Sequence, residues 1–264
     1  TEVVVLAVPC EAVEQVMHKA GAALPQQALL VSATKGLEPA SGRVPSQIIT
    51  EVLPHLGAQR LVALSGPNLA SEMVREVPTA TVVASGSQEA ALRAQAIFTH
   101  SHLLRVYTSN DVLGVQLGGA LKNIIALAAG ISDGLGFGDN TKATLVTRGL
   151  REITRLGCAL GAEAQTFSGL SGVGDLVATC ASQESRNWRV GFGLAQGKRL
   201  LDILREMRMV AEGVPTTKAA ARLAQQTGVE APIIREVHAV LFEGKGPARA
   251  VGDLMSRAPK SERE

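Results

Sequence analysis

A lysine in the middle of an apolar segment is the first residue of this chain that could do chemistry. Lys122 interrupts the mostly apolar run 113–126, and Gly118, Gly119 and Ala126 lie about one helical turn from it. Such a face of small residues lets another element or a ligand approach the backbone closely. Partial burial would lower the pKa of the amine, which suits a general acid or base near neutral pH. The alternative is a lysine whose amine reaches solvent at the helix rim.

A glycine-rich segment leads into a second candidate pair. Asp175 follows Gly169, Gly172 and Gly174, and Thr179 comes four residues later. The two side chains would therefore share one face of a helix. Together they could orient a substrate hydroxyl or a lysine amine. The alternative is that Asp175 only caps the amino terminus of its helix.

A cationic run supplies a candidate anion site. Ser185, Arg186 and Asn187 are followed closely by Arg189. A guanidinium group matches the oxygens of a phosphate with two parallel hydrogen bonds, so the run could clamp a phosphate ester. The alternative is a solvated helix surface, which is the usual explanation of a short charged run.

Polar, glycine-containing loops follow two strand-like runs of the first part of the chain. Lys35 and Gly36 come after one of them, and Gly66 and Asn68 come after the next. Ligands of open parallel sheets bind beyond the carboxyl ends of the strands. We therefore expect these two loops to border one ligand site.

Metal and disulfide chemistry are not expected. His100 and His102 have no third ligand at a spacing that metal sites use. The cysteines, Cys10, Cys158 and Cys180, are few and far apart, which indicates a reducing compartment and a cytoplasmic protein.

The elements that must position these residues alternate along the first hundred residues. Near-continuous apolar strands that alternate with helices predict a mostly parallel sheet covered by helices. Strands are predicted at Val3–Val8, Ala28–Ser32, Arg60–Leu64, Ala80–Ala84 and Leu103–Tyr107. Helices are predicted between them at Glu11–Ala23, Pro45–Leu53, Leu69–Glu76 and Gln88–Phe98.

From about Asn110 only helices are predicted, beginning with Asp111–Asp133 and Asn140–Ala159. The change divides the chain into a sheet domain, 1–109, and an all-helical domain, 110–264. The apolar segment Val112–Ile131 is long enough to span a membrane. A lysine near its middle would cost about 2.5–3.5 kcal/mol there, so a buried core helix is favoured and no membrane span is expected.

The composition argues against two classes of protein, disordered chains and nucleic-acid-binding proteins. The chain has 264 residues, 46% of them apolar, and a net charge of +2. Disordered chains have far fewer apolar residues. A nucleic-acid-binding protein would need clustered cationic residues, so nucleic acid is not an expected partner.

Taken together, the segments resemble the bacterial-type NAD(P)-dependent glycerol-3-phosphate dehydrogenase family over nearly the whole chain. Each segment is short, and their order and spacing make the resemblance specific. It is carried by 32–38 (SATKGLE), 64–67 (LSGP) with Ala70 and Glu72, 114–123 (GVQLGGALKN), 133–140 (DGLGFGDN), 147–150 (TRGL), 174–176 (GDL) with Thr179 and Cys180, 185–187 (SRN) and 212–213 (EG).

The resemblance implies an α/β protein. Its first part would be the C-terminal portion of a Rossmann-type parallel sheet domain, followed by an all-α domain like the C-terminal domain of 6-phosphogluconate dehydrogenase. It implies an enzyme that interconverts dihydroxyacetone phosphate and sn-glycerol 3-phosphate with NAD or NADP, for glycerophospholipid synthesis. The implied partner is this small-molecule substrate.

The resemblance also implies roles for single residues. Lys122 matches the catalytic general acid/base, and Lys35 matches a lysine that contacts substrate and cofactor. Other matches to substrate-binding positions are Gly66, Asn68, Asp175, Thr179, Ser185, Arg186 and Asn187, although Asn68 stands where Ser or Thr is more usual. Other matches to cofactor-binding positions are Ala70, Arg186, Val210 and Glu212.

One departure from the family concerns the nucleotide. The fingerprint Gly-x-Gly-x-x-Gly that follows the first strand of a Rossmann domain is absent. Aligned to the family, the chain begins at about the fourth strand, and we expect an N-terminally truncated member. An exposed sheet edge is then expected, which leaves homodimerisation open.

Two other functions remain open on the residues alone. A β-hydroxyacid dehydrogenase-like enzyme also places a lysine after a glycine-rich helical segment, but it would recognise a carboxylate instead of a phosphate. A truncated protein without catalytic activity could interact through its helical domain alone.

Overall fold

Five strands form a single sheet in the first part of the computed structural model, which describes residues 2–57, 59–100, 102–207, 209–259 and 261–262. The strands lie side by side in chain order. Their bounds are β1 Val3–Leu6, β2 Leu29–Ser32, β3 Leu61–Ser65, β4 Thr79–Ala84 and β5 Leu104–Ser109. The strand β1 forms one edge of the sheet, and Val5 on it is 52% exposed, as an open sheet edge requires.

Four helices connect the strands, so the predicted alternation is confirmed. They are α1 Val13–Ala20, α2 Pro45–Val52, α3 Ala70–Val74 and α4 Gln88–Phe98. The pairs β1–β2, β2–β3 and β4–β5 are parallel, whereas β3–β4 is antiparallel. A parallel crossover needs a connection of a dozen or more residues that carries the chain back along the sheet. The connection 66–78 is long enough but carries only the five-residue helix α3, and β4 runs against β3.

The rest of the described chain is helical. Its helices are α5 Val112–Gly134, α6 Asp139–Ala159, α7 Ala164–Phe167, α8 Asp175–Ala181, α9 Arg186–Ala195, α10 Leu200–Glu206, α11 Gly213–Thr227, α12 Pro232–Phe242 and α13 Pro247–Met255. A π-helical turn, Leu170–Gly174, leads directly into α8.

Helix α5 is the centre of the helical core. Its amino terminus is capped by Asp111, whose Oδ1 accepts a hydrogen bond of 2.8 Å from the Gly114 amide. Leu117, Leu121 and Ile124 are fully buried against the surrounding helices. By length and composition α5 could cross a membrane, but 83% of its most apolar window is buried inside the fold. The predicted core helix is therefore present.

Glycines allow α5 and α9 to cross closely. A Cβ atom added to Gly191 of α9 would overlap the carbonyl oxygen of Leu127, and one added to Gly130 would overlap that of Trp188. The obstacles are backbone atoms, which cannot rotate away as a side chain does. The two helices can therefore keep this distance only with glycine at both positions.

Gly191→Ala is expected to lower the free energy of unfolding by about 1–3 kcal/mol, because the added methyl group forces the helices apart. The measurement is chemical denaturation. Gly252→Ala in α13 is the matched control, since nothing lies within 4 Å of its added Cβ. Alanine is the better helix former, so the control should gain up to about 1 kcal/mol. A Gly191→Ala protein as stable as the parent would contradict the close crossing.

Candidate functional site

Helix α5 places the Lys122 side chain inside the protein. The residue is 6% exposed, so the amine does not reach solvent at the helix rim, and that alternative is wrong. Its Nζ donates a 2.5 Å hydrogen bond to Thr179 Oγ1 and lies 3.0 Å from Asp175 Oδ1. Both partners belong to α8, which packs across α5. The amine is thus held by one hydroxyl and one carboxylate.

Asp175 joins two lysines instead of capping its helix. The cap position of α8 is Gly174, and no side chain caps that helix end, so the capping alternative is wrong. Asp175 Oδ2 lies 2.6 Å from Lys35 Nζ, while Oδ1 faces Lys122. Lys35 also donates a 2.8 Å hydrogen bond to the Gly66 carbonyl oxygen. The loops after β2 and β3 are thereby tied to the helical part of the chain.

Thr179 is oriented by its own helix. Its hydroxyl donates a 2.6 Å hydrogen bond to the Asp175 carbonyl oxygen one turn earlier. The proton of the hydroxyl is therefore used, and its oxygen is left to accept the hydrogen bond from Lys122. Lys122 is therefore the donor and Thr179 the acceptor of the hydrogen bond between them, and this bond fixes the position of the Lys122 amine.

Burial and charge set the protonation of this cluster. Burial lowers the pKa of Lys122 to about 8, the Lys35 ammonium group lowers it too, and the Asp175 carboxylate opposes both. Burial by itself would raise the pKa of Asp175, but the two ammonium groups outweigh it and hold the pKa below its usual range. Two ammonium groups around one carboxylate leave a net positive charge, which favours an anionic ligand.

Small residues bring Lys35 close to α5. A Cβ atom on Gly119 would lie 2.5 Å from Ser65 Oγ and 3.6 Å from Lys35 Cδ. A Cβ atom on Gly118 would lie 2.5 Å from the Ser171 carbonyl oxygen in the π-helical turn before α8. The glycine face of α5 therefore admits both the sheet loops and α8.

The loop after β3 borders the same cluster. A Cβ atom on Gly66 would lie 2.9 Å from Thr81 Cα, so only glycine fits beside β4. Asn68 donates a 3.2 Å hydrogen bond from Nδ2 to the Ala80 carbonyl oxygen. Its Oδ1 is buried and has no hydrogen-bond partner among the described residues. Ala70, the first residue of α3, is exposed.

The run 185–187 divides into two buried residues and one exposed cation. Ser185 caps α9, with its Oγ accepting a 3.2 Å hydrogen bond from the Trp188 amide. Asn187 is buried and donates a 2.9 Å hydrogen bond to Asn123 Oδ1. Arg186 is exposed at the first turn of α9, where its guanidinium group can meet a ligand.

Glu212 joins the sheet to α11. Its Oε1 accepts a 3.1 Å hydrogen bond from the Cys10 amide, in the segment that follows β1. A Cβ atom on Gly36 would lie 2.8 Å from Glu212 Oε2, and Gly36 has a φ of +150°, so glycine is required there. Burial raises the pKa of Glu212, while Arg186 acts to lower it. Val210, two residues earlier, is 38% exposed.

Asn123 is a site residue that the sequence did not single out. It follows Lys122 directly, and its Oδ1 holds Asn187, whose own Oδ1 accepts a 2.8 Å hydrogen bond from the Gly213 amide. It thus links the lysine cluster to the segment that carries Glu212. The sequence signal that could have identified Asn123 is that it is another polar residue, next to Lys122, inside an otherwise apolar helix.

The strand ends fit the nicotinamide end of a dinucleotide. The segment after β1 meets Glu212 through the Cys10 amide, and the segment after β2 meets Asp175 through Lys35. The loop after β3 is held beside them by the hydrogen bond from Lys35 to the Gly66 carbonyl oxygen. This is where open α/β sheets bind ligands. The buried Asn68 Oδ1, which has no hydrogen-bond partner among the described residues, could accept a hydrogen bond from a carboxamide.

Comparisons with known proteins agree over the whole chain. The family profile for the NAD-dependent glycerol-3-phosphate dehydrogenase N-terminus matches residues 1–91, and that for the C-terminus matches residues 111–252. A relative from Geobacillus thermodenitrificans named glycerol-3-phosphate dehydrogenase (NAD(P)+) is 53% identical over 98% of this chain and 76% of its own length. A relative of the same name from Citrifermentans bemidjiense is 51% identical, over 98% and 77% respectively.

A solved structure gives the same result. The crystal structure of glycerol-3-phosphate dehydrogenase from Coxiella burnetii superimposes with a TM-score of 0.90 at 34% identity, over 97% of this chain and 78% of that one. The matched profiles, the identity and the shared fold lead to one assignment: this chain belongs to the NAD-dependent glycerol-3-phosphate dehydrogenase family.

Proposed function

We propose that the protein is an oxidoreductase that interconverts dihydroxyacetone phosphate and sn-glycerol 3-phosphate with NAD(H) or NADP(H), and so supplies glycerophospholipid synthesis. The observation that carries the proposal is the buried Lys122 amine, 3.0 Å from Asp175 Oδ1 and with a pKa of about 8. A ketone reduction needs a proton donor of this kind near neutral pH. Family membership supplies the substrate class and the cofactor.

The reaction divides between cofactor and protein. The nicotinamide supplies a hydride to the carbonyl carbon when it is bound. Lys122 Nζ donates the proton to the carbonyl oxygen, which becomes the secondary hydroxyl. In the reverse direction the neutral amine takes that proton back. Thr179 and Asp175 hold Nζ in place at 2.5 and 3.0 Å, so little rearrangement is needed at the moment of transfer.

Binding roles follow from position and charge. Arg186 binds the phosphate and also the cofactor, between Ser185, which caps α9, and the buried Asn187. Anchoring the phosphate away from the reacting carbon supplies positioning energy. We assign further substrate contacts to Lys35, Gly66, Asn68, Lys122, Asp175, Thr179, Ser185 and Asn187. We assign further cofactor contacts to Lys35, Ala70, Val210 and Glu212.

We extend the proposal to domains, location and assembly. Residues 1–109 form the cofactor domain and residues 110–264 the substrate and catalytic domain, since the last strand ends at Ser109 and α5 begins at Val112. The free thiols of Cys10, Cys158 and Cys180 favour a cytoplasmic location. The exposed edge strand β1 is a surface through which a homodimer could form.

The two reaction directions are expected to depend on pH in opposite senses. Reduction needs the protonated Lys122 amine, so its kcat/KM should fall as the pH rises through about 8. Oxidation needs the neutral amine and should speed up over the same range. The measurement is kcat/KM in both directions across that range at constant ionic strength. A fall in both directions would contradict the assignment of the proton to Lys122.

Substrate comparison tests the function itself. Oxidation of NADH or NADPH is followed with dihydroxyacetone phosphate and, in parallel, with a β-keto acid of similar size. We expect turnover with the phosphate ester and none with the acid. Turnover with the acid alone would identify a β-hydroxyacid dehydrogenase-like enzyme. Failure of both substrates would favour a protein without catalytic activity only if nucleotide binding also fails in a chain that carries the Gly-x-Gly-x-x-Gly segment of the family.

A further inference from the structure

A cavity lies in the helical part, away from the lysine cluster. It has a volume of about 360 Å³, is lined by α6, α12 and α13 with α5 as its floor, and is partly open to solvent. Cavities of this size hold small organic ligands. Its middle is apolar, with walls that include Ile131, Leu145, Ile233, Val240 and Leu254. An apolar chain would replace water there favourably.

One end of the cavity carries hydroxyl groups. Ser132 on the α5 floor is 3% exposed, and its Oγ has no hydrogen-bond partner among the described residues. Thr141 lies at the same end, where α6 begins. A buried hydroxyl without a partner is costly, so a ligand group that bonds to Ser132 would remove a penalty.

The other end carries two arginines one turn apart on α6. Arg148 Nη2 lies 2.6 Å from Glu262 Oε2, and Arg151 donates a hydrogen bond to the Glu262 carbonyl oxygen. Glu262 therefore shows that this arginine pair accepts oxygen ligands, a carboxylate on Arg148 and a carbonyl oxygen on Arg151. Arg148 is still 44% exposed, so the contact with the tail is open to exchange with solvent anions.

The remaining carboxylates of the lining are already held. Glu152 accepts hydrogen bonds of 2.9 and 2.7 Å from the amides of Ile233 and Ile234 at the start of α12, and Arg155 lies near it. Glu230 pairs with Arg257, and Glu236 pairs with Lys245. Among the lining residues that the structure describes, Arg148 and Arg151 are thus available to a ligand once it displaces Glu262.

We propose that this cavity binds a medium-chain carboxylic acid that carries a hydroxyl group near the far end of its chain. The ligand's carboxylate replaces the Glu262 carboxylate on Arg148 and the Glu262 carbonyl oxygen on Arg151, the methylene chain lies along the apolar walls, and the hydroxyl meets Ser132. The two polar ends are separated by the stretch of α6 from Thr141 to Arg151, about 15 Å at 1.5 Å per residue. A short acid cannot reach both ends.

The test uses three ligands of equal chain length with the full chain. Binding of ω-hydroxydecanoate, decanoate and decanol is measured by calorimetry and by fluorescence of Trp188, the chain's one tryptophan, whose Nε1 donates a 2.7 Å hydrogen bond to Asp133 beside Ser132. We expect the hydroxy acid to bind several-fold more tightly than decanoate, and decanol to bind at least tenfold more weakly than decanoate.

Variants locate the binding. Arg148→Ala with Arg151→Ala should weaken both acids at least tenfold, and Ser132→Ala should abolish the preference for the hydroxy acid. Val251→Phe, which fills the cavity from α13, should block binding without touching either polar end. Arg235→Ala on the exposed side of α12 is the matched control and should change nothing, since Arg235 is 67% exposed and does not line the cavity.

Several outcomes would overturn the proposal. They are failure of both acids to bind, equal binding of decanol, or binding that survives the double arginine substitution. The oligomeric state is measured by sedimentation. If the parent protein were a dimer and Val251→Phe dissociated it, the cavity would bind a second copy of the chain instead of an acid. None of these outcomes bears on turnover of the phosphate substrate, so they are distinguishable from a failure of the proposed function.

Discussion

Lys122→Met is expected to lower kcat for ketone reduction by about a hundred- to ten-thousand-fold, the range in which a positioned proton donor contributes. Methionine has nearly the volume of lysine and fills the same buried space, but it cannot give a proton to the carbonyl oxygen. Lys35 and Arg186 remain in place to bind the phosphate ester. The loss should therefore appear in kcat, while KM changes by a few fold at most.

Steady-state rates and calorimetric binding of dihydroxyacetone phosphate measure the two parts separately. Lys218→Met on α11 is the matched control, since this lysine is exposed and does not belong to the lysine cluster. In Lys122→Ala, the space left by the side chain should admit a small primary amine from solution, and added methylamine should restore part of the rate. Near-normal kcat in Lys122→Met, or a change confined to KM, would remove Lys122 from the proton transfer.

The sequence predicted the position of Lys122 because a local pattern carried the information. An amphiphilic residue in the middle of a long apolar helix must either be buried with partners or reach the helix rim, and the small residues around it favoured burial. The observed strands and helices agree with their predicted bounds for the same reason, because they too are encoded by residues that are close together in the sequence. Helical and strand periods need only a few neighbouring residues to be recognised.

The role of Asp175 could not be predicted in the same way. An aspartate after glycines at a helix start is equally consistent with a cap and with a buried ion-pair partner. What decides between them is Lys35, which is separated from Asp175 by 140 positions. Two other features were not predictable for the same reason. They are the antiparallel pairing of β3 with β4 and the hydrogen bond between Asn123 and Asn187. Each depends on which distant segments meet, and periodicity does not contain that information.

Asp175→Asn is expected to lower the free energy of unfolding near neutral pH by about 3–5 kcal/mol, the usual cost of removing one partner of a buried ion pair. The amide keeps the shape of the side chain but leaves the Lys35 and Lys122 ammonium groups facing each other without a counter-charge.

In the parent protein the pKa of Asp175 is held low in the folded state. Its contribution is therefore present at neutral pH and is lost as the pH falls through that lowered pKa. The stability difference between variant and parent should shrink in acid.

The same substitution moves the proton donor. The Asp175 carboxylate acts to raise the pKa of Lys122 against burial and against Lys35, so without it the pKa should fall below about 8. The decline of reduction with rising pH should then begin at lower pH than in the parent, an effect that a merely less stable protein would not produce. Asp202→Asn, on an exposed carboxylate that pairs with Arg199, should change neither stability nor the pH profile appreciably. If Asp175→Asn lost activity with an unshifted profile, the carboxylate would act on folding alone, and the Lys122 amine would owe its protonation to some other group.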